Sequence, residues 1–183
     1  ADRLEAGAEQ ILAANRQDTA LAVEKGISQS LLDRLSLSPE RIHDFAEGVR
    51  QVAALPDPVG EVIDSWQTEN GLHIQKVRVP IGVIGMIYEA RPNVTVDSAA
   101  LAIKSGNAAL LRGSASALRS NQAIVSLMKD ALRGTQVPPE CVYLLEDVTH
   151  EGAEQMMNLT EYLNVLIPRG GAGLIQRVVQ QAK

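Results

Sequence analysis

The sequence has 183 residues, of which 45% are hydrophobic and 21% charged, with a net charge of −5. That is enough apolar material for a packed core and one domain or slightly more, and it excludes wholesale disorder. No apolar run reaches the ~18 residues a membrane-spanning helix needs. The acidic balance argues against a nucleic-acid partner held by bulk charge, and 3% aromatics leave little for base-stacking platforms. The single cysteine, Cys141, excludes an internal disulfide framework and a cysteine-rich zinc site.

Residues 1–25 read as helical, with Leu4, Ala8, Ile11, Leu12 and Ala22 near a period of about 3.6 residues and Gly26 as a stop. The opening Ala1-Asp2-Arg3 is neither a start methionine nor a signal peptide, and reads as if cut inside a helix. Ser28 to Leu35 is a second short helix. Ser38-Pro39-Glu40 is an N-cap with proline at the first helical position, opening a helix to about Ala54 that carries Ile42, Phe45, Val49 and Val52 on one face. After Pro56-Asp57-Pro58 come two strands, Glu61–Gln67 and Leu72–Val79, joined at Asn70-Gly71. Both of those residues tolerate positive φ, so a two-residue turn and a protruding antiparallel hairpin are expected.

From Pro80 the pattern is α/β. Apolar strands at Ile81–Tyr88, Ala108–Leu111, Val142–Leu145 and Tyr162–Ile167 alternate with helices at Val94–Lys104, Ser116–Arg133, Glu151–Met157 and from Gly173 onward. This alternation predicts a parallel sheet with right-handed crossovers. The helical pattern runs on to the last residues with no glycine or proline stop, so both ends read as truncations.

Ligands of such a sheet bind beyond the carboxyl ends of its strands. Three junctions lie there: Tyr88-Glu89-Ala90-Arg91-Pro92-Asn93, Arg112-Gly113-Ser114-Ala115-Ser116 and Pro168-Arg169-Gly170-Gly171-Ala172-Gly173. Each sets an arginine among small or turn-forming residues before a helix. Free N–H groups and the positive end of a helix dipole suit phosphate, and glycines allow close approach. The same pattern also serves ordinary turns. Gly82-Val83-Ile84-Gly85 lacks the full dinucleotide fingerprint and reads as tight strand packing. His43, His73 and His150 have no metal-ligand spacing, so surface or capping roles and no metal are expected. Trp66 suits packing at an interface, and Lys104 suits the negative end of its helix.

The stretch from Val79 to Asp97, VPIGVIGMIYEARPNVTVD, resembles the signature of the γ-glutamyl phosphate reductase (glutamate-5-semialdehyde dehydrogenase) family of the aldehyde dehydrogenase superfamily. Lys104-Ser105-Gly106-Asn107 with Leu111-Arg112-Gly113 resembles its second block, and Leu166 to Ile175, LIPRGGAGLI, its third; the likeness extends over essentially the whole chain. The resemblance implies NADPH-dependent reduction of L-glutamate 5-phosphate to L-glutamate 5-semialdehyde with release of phosphate, in proline biosynthesis. It also implies a cytoplasmic, homo-oligomeric enzyme, while composition already leads us to expect no nucleic-acid or membrane partner. It divides the chain into a helical segment of the cofactor domain (1–59), a hairpin serving oligomerisation (60–79) and a truncated dinucleotide-binding domain (80–183). The alternatives are a non-catalytic nucleotide-binding or oligomerising fragment, the reductase module of a bifunctional pyrroline-5-carboxylate synthase, and another enzyme of the superfamily. The Arg-Pro-Asn and Pro-Arg-Gly-Gly blocks speak against the last.

Residue by residue, the resemblance makes Asn93 a donor to the oxyanion of the reacting carbonyl; the competing reading is a cap of the helix that follows. Arg112, Gly113, Ser114, Gly170 and Gly171 become cofactor ligands, against a solvated arginine and plain helix-start turns. Many members have a second glycine where Ser114 stands; a serine there is expected to cap the helix and reach a phosphate. Ala115 leaves no acid to repel a 2′-phosphate. Arg91 and Arg169 either bind the substrate phosphate or pair with Glu89 or Asp97. The family's nucleophilic cysteine lies well downstream of the third block. Cys141 is then a buried structural residue, and the chain alone is expected to be inactive.

Overall fold

The computed structural model describes residues 1–182. In chain order its elements are α1 (Asp2–Ala6), α2 (Ala8–Glu24), α3 (Gln29–Leu35), α4 (Pro39–Ala54), β1 (Val62–Gln67), β2 (His73–Val77), β3 (Val83–Tyr88), α5 (Pro92–Lys104), β4 (Ala108–Arg112), α6 (Leu118–Leu132), β5 (Val142–Leu144), α7 (His150–Met157), β6 (Val165–Arg169) and α8 (Ala172–Gln181). Short 3-10 turns, Ala115–Ala117 and Pro139–Cys141, precede α6 and β5. No described helix is long and apolar enough to cross a membrane.

β3 to β6 form one parallel sheet in the order β5-β4-β3-β6. From β3 the chain steps outward through β4 to β5, then returns to place β6 on the other side of β3. The direction of winding therefore reverses between β3 and β6, and the crevice at their carboxyl ends opens beside Tyr88 and Arg169, which pair in register. On one face α1, α2, α4, α5 and α6 enclose a core around Ile11, Ile42, Val94, Leu111, Ile124 and Val142. On the other, α7 and α8 bury Met156, Met157 and Val178 against Ile87. Gly85 allows this second packing: a Cβ there would lie 3.0 Å from both Leu163 and Met156 side chains.

Local chemistry accounts for the element starts. The Ser28 and Ser38 hydroxyls accept the Leu31 and Arg41 N–H groups, capping α3 and α4. The first helical stretch breaks at Gly7, where any side chain would collide with Leu127 of α6. β6 begins three residues later than Tyr162. Tyr162 and Leu163 still turn back onto Leu159, and the Asn164 side chain takes the Val83 N–H that a strand carbonyl would otherwise accept.

The hairpin departs from expectation at its turn. Gly71 alone has positive φ, +88°. The ladder closes between Thr68 N–H and Leu72 C=O, with Glu69, Asn70 and Gly71 as the connection, a turn followed by a left-handed glycine. The register also slips at Ile63. The two strands form a sheet of their own, with Val62, Ile63, Trp66 and Val77 exposed.

One buried polar cluster ties the N-terminal helices to the α/β core. The Asp18 carboxylate of α2 accepts both the backbone N–H (2.8 Å) and the hydroxyl (2.7 Å) of Ser120, in the first turn of α6. Asn15 donates to Ser120 Oγ and to Leu35 C=O, and accepts from Leu37 N–H. Ala117, at the cap position of α6, has no side-chain acceptor, so Asp18 supplies the cap from another helix. Asp18→Ala strands that N–H in the interior. A loss of about 1–3 kcal/mol in urea unfolding is expected, and a loss within about 0.5 kcal/mol, the range of an ordinary surface change, would show the cap to be dispensable.

Candidate functional site

The β3–α5 junction is held from beneath. Thr95, in the first turn of α5, donates its hydroxyl to Asn121 Oδ1 of α6 (2.8 Å). Its one proton is thereby used, so the Tyr88 hydroxyl, 2.6 Å away, is the donor to Thr95 Oγ1. All three side chains are buried, and burial pushes the Tyr88 phenol above its ordinary pKa, which keeps it protonated as that donor. Gly113, just past β4, closes the arrangement. A Cβ there would collide with the Asn121 amide and stand 3.2 Å from the Tyr88 ring. Two strand–helix junctions, β3–α5 and β4–α6, are thus fixed relative to one another at the carboxyl edge of the sheet.

On one side of the junction lies a hollow of about 430 Å³ between α3, α4 and the start of α5, lined in part by Arg91, Asn93 and Asp97. The capping residue of α5 is Arg91, not Asn93. Pro92 already has helical geometry, so the Asn93 amide is free of capping and instead donates to Asp97 Oδ2 (3.3 Å). The cap reading of Asn93 is thereby overturned. Burial raises the Asp97 carboxyl pKa; the bond from Asn93 and the charge of Arg169 oppose that rise. Arg91 is exposed and pairs with neither Glu89 nor Asp97, which removes that alternative for it. Arg169 lines a separate groove with Asp97, Leu55 and Leu101.

On the other side, a cleft of about 270 Å³ is lined by Tyr88, Glu89, Arg112, Ser114, His150 and Arg177, among others. Glu89 Oε1 accepts the Gly171 N–H at the start of α8 (3.1 Å), so that helix end already holds a carboxylate. Gly170 is tight against it: a Cβ would come within 2.8 Å of Glu89 Oε1. Arg112 is not a solvated strand-end arginine. Its Nη2 donates to Val148 C=O (2.6 Å) and Thr149 C=O (2.7 Å), while its Nε is buried with no protein partner. Ser114 does not cap with its side chain; its hydroxyl bonds to Ser116 Oγ. His150 and Arg177, which no motif in the sequence marks, meet across the cleft at 2.9 Å. A guanidinium has only donors, so His150 Nδ1 is the acceptor.

The remaining candidates are placed as follows. Cys141 precedes β5, at the amino edge of the sheet and so at the end opposite both cavities. It is half-buried, not buried as expected, and burial and then Glu140 raise its thiol pKa, the reverse of an activated nucleophile. Lys104 caps another helix, donating to Ala53 C=O at the end of α4 (3.0 Å). Among the described residues Glu5, His43 and Glu47 converge closely enough for a metal. Arg50 already fills that role, bonding Glu5, Glu47 and Asp2. Arg50, with help from His43, lowers the Glu5 carboxyl to about 2.

The cleft suits a phosphate-bearing ligand. It offers two cationic side chains, Arg112 and Arg177, and the N-terminus of α8, whose Gly171 N–H already binds one anionic group, the Glu89 carboxylate.

No family model matches the chain. It is 59% identical over 174 residues, 95% of its length, to a gamma-glutamyl phosphate reductase of Geobacillus sp. (strain WCH70), and covers 42% of that protein. The crystal structure of gamma-glutamyl phosphate reductase from Thermotoga maritima has a TM-score of 0.97 to it at 49% identity, covering all of this chain and 44% of that one. This chain matches gamma-glutamyl phosphate reductase throughout. It spans less than half the length of the relatives it matches. An NAD-dependent benzaldehyde dehydrogenase from Corynebacterium glutamicum, 18% identical with a TM-score of 0.70 over 98% of this chain, shares the fold. The architecture is therefore that of the aldehyde dehydrogenases, as the sequence motifs led us to expect.

Gly113→Ala tests the packing under the junction. The Asn121 amide and the Tyr88 ring are both buried, so a methyl group there must displace packed side chains, and a stability loss of about 1–3 kcal/mol in urea unfolding is expected. An unchanged midpoint would show that the junction is looser than its hydrogen bonds imply.

Proposed function

We propose that the complete protein reduces L-glutamate 5-phosphate to L-glutamate 5-semialdehyde with NADPH and releases phosphate, in proline biosynthesis. The observation that carries this is the Tyr88–Asn93 junction. It has a phosphate-suited cleft on one side and Arg91 with Asn93 on the other, in a chain 59% identical to a protein named for that reaction.

NADPH, when bound, supplies the hydride. The residues that would hold it are Gly170 and Gly171 with the N-terminus of α8, and Arg112, Gly113 and Ser114 at the end of β4. The shared fold with an NAD-dependent dehydrogenase supports a dinucleotide in that cleft. Gly171 N–H is the natural donor to a pyrophosphate, on condition that the Glu89 carboxylate moves aside. Arg112 is already fixed by two backbone carbonyls, and no acid stands at Ala115; both favour acceptance of a 2′-phosphate.

In the hollow, Asn93 directs its amide toward the carbonyl oxygen as charge develops there. Asp97 orients that amide by accepting a hydrogen bond from one of its N–H groups. Arg91 shares the hollow, which favours it for the substrate phosphate. Arg169 lies beside Asp97, which favours a part in holding that carboxylate. The exposed apolar hairpin suits contact with another copy, and the whole protein is assigned to the cytoplasm. Cys141 is too remote to attack the acyl carbon, so this chain alone is expected to show no turnover.

The deciding assay follows NADPH formation from glutamate 5-semialdehyde by the complete protein. Strict dependence on inorganic phosphate supports the reading, and phosphate-independent turnover contradicts it. Within that assay Asn93→Ala should lower kcat by about 10²–10³ and leave KM nearly unchanged, since the lost bond forms mainly in the transition state. Asn93→Asp should be as slow, because a carboxylate repels an oxyanion. Near-normal kcat in Asn93→Asp would remove Asn93 from the reaction.

A further inference from the structure

The hollow beside Asn93 carries both signs of charge: Arg34, Arg41 and Arg91 against Asp33, Asp44 and Asp97. Half of these groups are engaged with protein. Arg41 bonds to Asp33 Oδ1 (3.2 Å) and to the Asp33 and Ser36 carbonyls, and Asp97 accepts from Asn93. Among the described residues the side chains of Arg34, Arg91 and Asp44 make no hydrogen bond or ion pair, and all three are exposed.

Two unpaired guanidiniums and one unpaired carboxylate around a cavity of about 430 Å³ complement a ligand with two anionic groups and one cationic one. An α-amino acid phosphorylated on its side chain is such a ligand. We propose that Arg34 and Asp44 grip the α-amino acid head of the substrate, the α-carboxylate on Arg34 and the α-ammonium on Asp44. This assignment rests on the reading of the protein as a reductase of L-glutamate 5-phosphate.

Position distributes the roles. Arg91 is two residues from Asn93, whose amide is assigned to the reacting carbonyl, and the phosphate is attached to that same carbon. Arg34 on α3 and Asp44 on α4 line the same hollow from the N-terminal helices, whereas Arg91 and Asn93 line it from the start of α5. The Ser38 cap and the bonds of Arg41 to the α3 end fix these two helices relative to each other. A zwitterion binds such a pair without an existing ion pair having to break. A carboxylate fits the planar fork of a guanidinium, and an ammonium finds in Asp44 an acceptor with no competing donor. Specificity for an amino acid over other aldehydes would then reside in the N-terminal helices, away from the reacting atoms.

The test uses the complete enzyme with glutamate 5-semialdehyde, phosphate and NADP⁺. Arg34→Gln and Asp44→Asn should each raise KM for the semialdehyde by about tenfold or more, the scale of one lost charged hydrogen bond. Values of kcat, and KM for NADP⁺ and phosphate, should stay near wild type. Arg34→Lys should recover part of the loss. The wild type should also discriminate against glutaric semialdehyde, which lacks the amine, and Asp44→Asn should erase most of that discrimination. Both positions are exposed, so neither variant endangers the fold. Phosphate-dependent turnover with an unchanged semialdehyde KM in both variants would overturn this assignment alone. No phosphate-dependent turnover by the wild type would overturn the reductase reading and this assignment with it.

Discussion

The phenol of Tyr88, the hydroxyl of Thr95 and the amide of Asn121 form a buried hydrogen-bonded chain beneath the carboxyl edge of the sheet, and the shape of both cavities follows from it. A buried donor or acceptor left without a partner costs about 1–3 kcal/mol, so each member holds the next in place. Tyr88 ends β3, Thr95 lies in the first turn of α5, and Asn121 belongs to α6, packed against Gly113 at the end of β4. Groups that must act together within a fraction of an ångström are thus mounted on strand and helix ends, with no free loop between them and the core.

That rigidity lets one short segment serve two cavities. Tyr88 and Glu89 face the cleft beside α7 and α8, and Arg91 and Asn93 face the hollow beside α3 and α4. The winding reversal between β3 and β6 creates the first. The N-terminal helices, tied down by Asp18 and Asn15, create the second. Charge is distributed accordingly: the chain is acidic overall, −5, yet the cleft collects Arg112 and Arg177, and the hollow Arg34, Arg41 and Arg91. Local potential at a site is set by nearby groups, whereas the net charge acts only over the whole surface.

Much of this was legible in the sequence because its signals are local. The Ser38-Pro39 cap, the alternation of apolar strands with helices and the three arginine-bearing junctions all appear where they were read. The failures have physical causes. Asn70-Gly71 looks alike in a two-residue and a three-residue connection, and cross-strand pairing decides between them. The competing reading of Asn93 as a cap needed a helix starting at Val94, but Pro92 starts it two residues earlier. Arg112 and Lys104 bond to carbonyls 36 and 51 residues away in sequence, and no short motif encodes such contacts. His150 with Arg177, and Arg34 with Asp44, become neighbours of a cavity only once their helices are packed.

The central claim is that one junction separates two binding sites for different ligands. Hydrogen–deuterium exchange on the complete protein tests it most directly, with NADPH alone and with phosphate plus glutamate 5-semialdehyde alone. The account predicts that NADPH slows exchange at residues 112–118 and 170–175, and that phosphate with the semialdehyde slows it at residues 33–45 and 91–97. Protection of the same segments by both would contradict it.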